Sequence, residues 1–112
     1  MTTREIGNKG ENAVCWYLRF RGYRILDRNY TIKGGEIDIV AYKRKVLHFV
    51  EVKTRKSDAF GTPMEAITRG KYNNIKTGVL SYIQENKIKN YQIDAIGITL
   101  QPTLKIQHLK NI

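Results

Sequence analysis

Four charged side chains interrupt two otherwise apolar segments of the sequence, GEIDIVA at 35–41 and FVEVK at 49–53. They are Glu36, Asp38, Glu51 and Lys53. Successive residues of a strand point to opposite sides, so Glu51 and Lys53 share one side. Neighbouring carboxylates supply the oxygen ligands that a hard cation such as Mg²⁺ or Mn²⁺ takes, often together with water and a substrate phosphate. A lysine beside them could stabilise the charge of a phosphate under attack or orient the attacking water, so the pattern predicts a metal-dependent site.

The two segments are predicted to pair as a hairpin around the basic turn at 43–45. With the turn centred between the second and third of these residues, Asp38 faces Glu51 and Glu36 faces Lys53. Like charges directly opposite are destabilising unless a shared proton, Lys53 or a divalent cation offsets them. The plainer alternative is a polar face with a surface ion pair between Glu36 and Lys53. The other side of the hairpin is expected to be apolar, pairing Ile37 with Val52 and Ile39 with Val50.

The periodicity of the apolar residues predicts the elements that must position these groups. A first helix extends from about Thr3 to Arg21 and carries Glu11 at the edge of its apolar stripe. A second helix follows a capping box at 62–65 and continues to about Asn86, with an interruption near Gly70. The predicted strands are 23–30, 36–42, 46–54, 91–100 and 104–109. This order predicts a single α/β domain over residues 1–112, with a mixed central sheet of about five strands flanked by helices.

The charge of the chain indicates an acidic partner. The formal net charge is +10, from 20 Lys and Arg against 10 Asp and Glu. Such an excess favours nucleic acid first and an anionic membrane second. No apolar run approaches the ~18 residues of a membrane span, and the start of the sequence does not resemble a secretory signal. The single cysteine, Cys15, cannot form an internal disulfide, which suggests a reducing compartment. Together these features predict a cytoplasmic protein with no membrane attachment.

Candidate contacts to nucleic acid are distributed along the chain. They are Arg4, Lys9, Arg55, Lys56, Phe60, Arg69 and Lys71. The basic side chains would contact phosphates, whereas Phe60 either stacks on a base or packs beneath its own loop. The sequence shows neither a glycine-rich phosphate loop nor a Cys and His cluster, so we expect no organic cofactor and no zinc.

Four motifs of the sequence resemble a known family. They are GNKGENAVCWYL, GEIDIVA, FVEVKTR and FGTPMEAI. From about Arg4 to Asp94 the chain resembles the YraN family of small bacterial proteins, which is similar to the PD-(D/E)xK nuclease superfamily and the archaeal Holliday-junction resolvases. The resemblance implies a restriction-endonuclease-like fold in which Asp38 and Glu51 bind Mg²⁺ or Mn²⁺ and Lys53 is catalytic. It also implies that Glu11 completes the acidic site from the first helix and that Glu36 belongs to the site.

Together these features predict a metal-dependent endonuclease that hydrolyses phosphodiester bonds in DNA. The resemblance favours branched or junction DNA as the substrate. Symmetric cutting of a junction needs two active sites related by a two-fold axis, so a homodimer is expected. The alternative is a basic nucleic-acid-binding protein without catalysis, in which the fold is retained and the carboxylates serve the structure.

Overall fold

The structure, a computed structural model, describes residues 2–57, 59, 61 and 67–112. These residues form two helices and five strands. In chain order the elements are α1 (Thr3–Phe20), β1 (Arg24–Ile32), β2 (Gly35–Lys43), β3 (Val46–Arg55), α2 (Arg69–Asn86), β4 (Tyr91–Thr99) and β5 (Lys105–Leu109). Neither of these two helices combines the length and the apolar composition that a membrane crossing requires.

The strands form one mixed sheet in the order β1-β2-β3-β4-β5. Neighbouring strands are antiparallel except for β3 and β4, which are parallel. A parallel pair requires a long crossover connection, and α2 lies within that connection in the chain. The predicted α/β class, with a mixed five-stranded sheet flanked by helices, is therefore confirmed, and the arrangement is consistent with a restriction-endonuclease-like fold.

Each face of the sheet is covered by one helix. The face under α1 buries Val14, Cys15, Leu18, Ile39, Ala41, Val50, Ile96 and Ile98. The face under α2 buries Ile37, Val40, Phe49, Ile75, Val79 and Ile93. Cys15 is a free, buried thiol in the first of these clusters, so it serves as a small apolar packing group. Since both faces are covered, any polar side chain on β2 or β3 must be satisfied inside the protein or at a sheet end.

The ends of α1 lie close to their predicted positions. Thr2 precedes the helix with extended backbone, and its side chain accepts a hydrogen bond from the Glu5 N–H, as expected of an N-terminal cap. At the other end the chain leaves the helix through Gly22, whose φ of +89° is readily adopted only by glycine.

The predicted register of the hairpin is confirmed near its turn. The pairs run from Lys43 with Val46 to Ile39 with Val50, with Arg44 and Lys45 in the left-handed turn. The pairing does not continue to the predicted partners of Asp38 and Glu36.

The prediction that Ile37 and Ile39 share one apolar face is wrong. Ile37 packs in the cluster under α2, whereas Ile39 packs in the cluster under α1. Strict alternation of side chains therefore fails where β2 separates from β3. The physical reason is that β2 is no longer tied into the β3 ladder beyond Ile39.

The helix α2 begins at Arg69, within the segment where the sequence predicts an interruption. Thr68 caps it, because its side chain accepts a hydrogen bond from the Lys71 N–H. Gly70 lies in the first turn and does not interrupt the helix. The predicted capping box at 62–65 lies outside the described residues.

Candidate active site

Asp38 and Glu51 bring two carboxyl groups together where β2 separates from β3. Asp38 Oδ2 accepts a hydrogen bond of 2.8 Å from the backbone N–H of Val52. This side chain therefore satisfies the N–H of Val52 on β3, beyond Ile39 and Val50, the last pair of the β2–β3 ladder. The bond fixes Asp38 against β3, next to Glu51.

Glu51 is almost completely buried, with 2% of its surface exposed. Burial raises the pKa of Glu51 to about 8, and the charge of Asp38 and the hydrogen bond between the two carboxyls act in the same direction. Burial also raises the pKa of Asp38, against hydrogen bonds from the Val52 N–H and from Glu51, which lower it. In the absence of a cation, Glu51 is thus the protonated partner and donates to Asp38.

When Glu51 is ionised, one of its oxygens has no donor. Among the described residues, Oε2 is buried and finds no hydrogen-bond partner. A buried carboxylate oxygen without a partner is strongly unfavourable. Protonation and cation binding are the two ways in which this carboxyl can be satisfied.

Lys71 reaches the carboxylates from the face of the sheet that α2 covers. Its Nζ lies 3.3 Å from Glu36 Oε1 and 3.5 Å from Glu51 Oε1. Sequence reasoning placed Lys71 among the contacts to nucleic acid and Lys53 beside the carboxylates. The surface ion pair between Glu36 and Lys53 is not formed, because β2 and β3 do not pair there and α2 supplies a nearer cation.

A cavity of about 330 Å³ brings together three of the predicted catalytic and metal-binding residues. Glu11, Asp38 and Lys53 all line it, together with Arg4 of α1. Within the described part of the chain, the structure gives the Lys53 ammonium no ion pair or hydrogen bond. Lys53 can therefore approach a ligand in the cavity without first breaking a contact of its own.

Glu11 is held in place by β1, a contribution that the sequence did not reveal. Arg28 lies with its Nη2 2.9 Å from Glu11 Oε1, and Asn29 Nδ2 also donates to this oxygen. The approach of α1 to the sheet depends on Gly10, since a Cβ there would lie 2.0 Å from Thr54 Oγ1. An Arg on one strand and a Glu on a distant helix have no local signal that pairs them.

The donor set suits a hard divalent cation that keeps part of its water. No group of three or more His, Cys, Asp and Glu side chains in the described ranges is arranged to hold a metal by itself. Mg²⁺ is commonly held by one or two carboxylates, with water and substrate phosphate completing its octahedron. The adjoining carboxyls of Asp38 and Glu51, with one buried oxygen lacking a donor, fit that requirement.

The other predicted contacts to nucleic acid are dispersed. Lys9, Lys56 and Arg69 are exposed at separate places on α1, after β3 and at the start of α2. Arg55 is half-buried at the end of β3, and its Nε is buried with no hydrogen-bond partner among the described residues. Phe60 lies outside the described residues. Arg4 and Lys71 are thus the two predicted contacts that the structure places at the acidic site.

Comparisons with known proteins agree on one family. The model of the uncharacterised protein family UPF0102 matches residues 10–98. A UPF0102 protein of Carboxydothermus hydrogenoformans is 42% identical over 115 residues, covering 100% of this chain and 98% of the relative.

Two further relatives, also named UPF0102 protein, match at the same level. The one from Alkaliphilus oremlandii is 42% identical, over 96% of this chain and 97% of the relative. The one from Dictyoglomus thermophilum is 42% identical, over 95% of this chain and 92% of the relative. These names state no activity. The chain belongs to the uncharacterised protein family UPF0102, the YraN family that its motifs resemble.

Proposed function

We propose that the protein is an endonuclease that hydrolyses phosphodiester bonds in DNA with the help of Mg²⁺ or Mn²⁺. Branched or junction DNA is the preferred substrate in this proposal. The observation that carries it is the buried carboxyl pair of Asp38 and Glu51 beside a cavity that Lys53 also lines. A purely structural role gives no reason to bury two acidic side chains next to each other.

Each side chain has a role in the proposed hydrolysis. Asp38 and Glu51 would hold the cation, which supplies a Lewis acid toward the scissile phosphate. Lys53, at the wall of the same cavity, would stabilise negative charge on the phosphate or orient the water that attacks it. Glu11 and Glu36 add negative charge around the pair, and both act on the pKa of Asp38.

The test is cleavage of four labelled substrates by the full chain: a four-way junction, a duplex, single-stranded DNA and RNA. Each is incubated in Mg²⁺, Mn²⁺ or EDTA. We expect cutting in either metal, none in EDTA, and the fastest cutting on the junction. Loss of activity in Glu51→Gln and Lys53→Met would tie the cutting to this site.

A matched control removes a carboxylate elsewhere. Glu85 on α2 accepts a hydrogen bond from Tyr30, and Glu85→Gln preserves an acceptor there. We expect this variant to cut like the wild type. Equal cutting by Glu51→Gln and the wild type, or no cutting of any substrate, contradicts the proposal.

One observation favours the alternative, a nucleic-acid-binding protein without catalysis. Protonation of Glu51 and the ammonium of Lys71 can together satisfy the carboxyls without any metal. Binding that weakens with salt, with no cutting in either metal and no metal-dependent change in thermal stability, is the result expected of that alternative.

The proposed substrate also implies an oligomeric state and a cellular compartment. A junction has two symmetric strands to cut, so we propose a homodimer with one site in each chain. Sedimentation velocity measures this directly, as a species with twice the mass of one chain. DNA as substrate and a lone buried thiol favour the cytoplasm as the place of action.

A further inference from the structure

A second cluster of titratable groups lies at the other end of β3, under α1. Asp94 of β4 is fully buried and accepts four hydrogen bonds. His48 Nδ1 at 2.9 Å and His108 Nε2 at 3.3 Å contact its Oδ2. Gln92 Nε2 at 2.8 Å and the Asn111 N–H at 2.9 Å contact its Oδ1. The cluster is separate from the proposed acidic site, whose residues contribute none of these bonds.

These bonds fix which ring nitrogen of each histidine donates to Asp94. Burial raises the pKa of the Asp94 carboxyl, but the hydrogen bonds from His108, Asn111, Gln92 and His48 together lower it well below its usual value. Asp94 is therefore an ionised acceptor, and the nitrogens that contact it must donate. In neutral His108 the other nitrogen, Nδ1, then accepts from the Tyr17 hydroxyl at 3.1 Å.

His48 is left with one ring nitrogen for a ligand. Its Nδ1 is engaged with Asp94, and the structure gives Nε2 no hydrogen bond to any described residue. Tyr23 packs edge-on against the ring, with the two ring centroids 5.0 Å apart. Asp94 and Tyr23 thus hold the ring in one orientation, as in histidines that present a fixed nitrogen to a ligand.

The ring of His48 lines a cavity of about 270 Å³. The other lining residues are Tyr23, Lys43, Arg44, Val46, Gln92 and Lys110. Three of these are cations, and none of the described residues that line the cavity is a carboxylate. One cation is positioned by packing, since Lys43 Nζ lies 4.7 Å from the centre of the Tyr23 ring. Three cations around a fixed imidazole form a surface complementary to a small, multiply charged anion.

We propose that this cavity binds a phosphate group. His48 Nε2 would contact the phosphate when protonated, while Lys43, Arg44 and Lys110 surround it with positive charge. Asp94 is a positioning residue that fixes the ring. His48 precedes Lys53 by five residues on β3, which places the cavity roughly 17 Å along the strand from the proposed catalytic lysine. The proposal does not depend on cleavage at the acidic site.

The chain is well suited to a direct test, because it contains two histidines only. Full-length protein with ¹⁵N-labelled histidine is titrated in EDTA with inorganic phosphate, with AMP and with a short single-stranded DNA. We expect a saturable shift of the His48 Nε2 resonance, while the resonances of His108 serve as an internal reference. His48→Asn assigns the spectrum and retains an amide donor toward Asp94.

Charge variants separate specific binding from general attraction. Lys43→Gln removes one lining cation, and Arg44→Asn removes another while keeping a residue that accepts the observed φ of +52°. We expect each to weaken binding about tenfold. Lys76→Gln removes an exposed cation from α2, on the opposite face of the sheet, and is expected to bind like the wild type.

The outcomes distinguish the sources of the phosphate. Saturable binding of inorganic phosphate or AMP identifies a site for a free phosphate or nucleotide. Binding of the DNA alone, reduced in Lys43→Gln, identifies a site for a strand phosphate. The absence of a saturable His48 shift with all three ligands overturns the proposal, as does equal binding by Lys43→Gln and Lys76→Gln.

Discussion

The carboxyl of Glu51 makes the stability of the metal-free protein depend on pH. Its pKa in the folded chain is raised to about 8, mainly by burial, from an ordinary value of 4.5. Between these two values the folded state holds a proton that the unfolded state has released. The free energy of unfolding should therefore fall as pH rises from about 4.5 to about 8, by roughly 1.4 kcal/mol for each unit of pKa difference.

Glu51→Gln should remove most of this pH dependence. In EDTA at pH 8 we expect the variant to unfold at a higher temperature than the wild type, by roughly 4–8 °C for each kcal/mol of relieved charge burial. Thermal unfolding followed by circular dichroism from pH 5 to pH 9 measures it. In Mn²⁺ the wild type should gain stability and the variant should not. A lower midpoint for Glu51→Gln at pH 8, with Glu85→Gln unchanged, contradicts this prediction.

Lys71 gives a second prediction, because it lies where a cation would compete with it. Its ammonium is 3.5 Å from Glu51 and 3.3 Å from Glu36. In Lys71→Gln we expect lower stability in EDTA and a stabilisation by Mn²⁺ that exceeds that of the wild type by roughly 1 kcal/mol. The thermal shift is measured against Lys76→Gln, which removes a lysine from the same helix away from the carboxylates. An equal or smaller Mn²⁺ effect in Lys71→Gln would show that the two cations do not compete.

At the scale of single residues, the sequence predicted the charged side chains of the site better than the side chains that contact them. Asp38, Glu51 and Lys53 are singled out by their motifs, and the structure places them close to where β2 separates from β3. The contacts of Arg28 with Glu11 and of His48 with Asp94 join residues 17 and 46 positions apart. Such pairs form only when the elements pack together, so a local sequence pattern does not predict them.

The hairpin of β2 and β3 shows what is predictable at the scale of an element. Its register follows from a two-residue turn and from apolar alternation, and both are local properties. The reversal of side chains between Ile37 and Ile39 could not be read from the pattern, because it occurs where pairing stops. Ile37 instead packs against α2, where Gly78 allows the helix to approach β2 closely.

The docking of α1 on β3 depends on Gly10 and leads to a third prediction. A Cβ at this position would lie 2.0 Å from Thr54 Oγ1 and 2.8 Å from Thr54 Cβ. Gly10→Ala must therefore move the helix, which carries Glu11, away from the strand. We expect a loss of about 1–3 kcal/mol in the free energy of unfolding, measured by urea denaturation.

A matched control exists one turn earlier in the same helix. A Cβ at Gly7 meets nothing within 4 Å. Gly7→Ala should be neutral or stabilising, by up to about 1 kcal/mol, because alanine favours the helix. Thr54→Ala should restore part of the stability lost in Gly10→Ala, since it removes the nearest contact. Equal effects of the two glycine substitutions would show that the close approach is not what limits this position.

At the scale of the whole molecule, the described residues include an exposed aromatic surface that the candidate sites do not use. On the outer side of α1, Trp16 is 59% exposed and Phe20 is 87% exposed. They line a cavity of about 710 Å³ together with Leu104 and Ile106 of the β5 edge of the sheet. Large exposed apolar surfaces of this kind mark interaction sites. A two-fold dimer needs one self-complementary patch on each chain, and we propose this surface as that patch.

If the proposed homodimer uses this surface, Phe20→Ser should abolish it. The substitution removes a large apolar side chain without creating a cavity in either core cluster, so folding should be retained. Leu80→Ser is the matched control, because Leu80 is 53% exposed on α2, on the opposite face of the sheet. Sedimentation velocity should show a monomer for Phe20→Ser and a dimer for both the control and the wild type. A Phe20→Ser protein that remains dimeric would place the two-fold axis elsewhere, and a monomeric wild type would remove the symmetric pair of sites that junction cleavage requires.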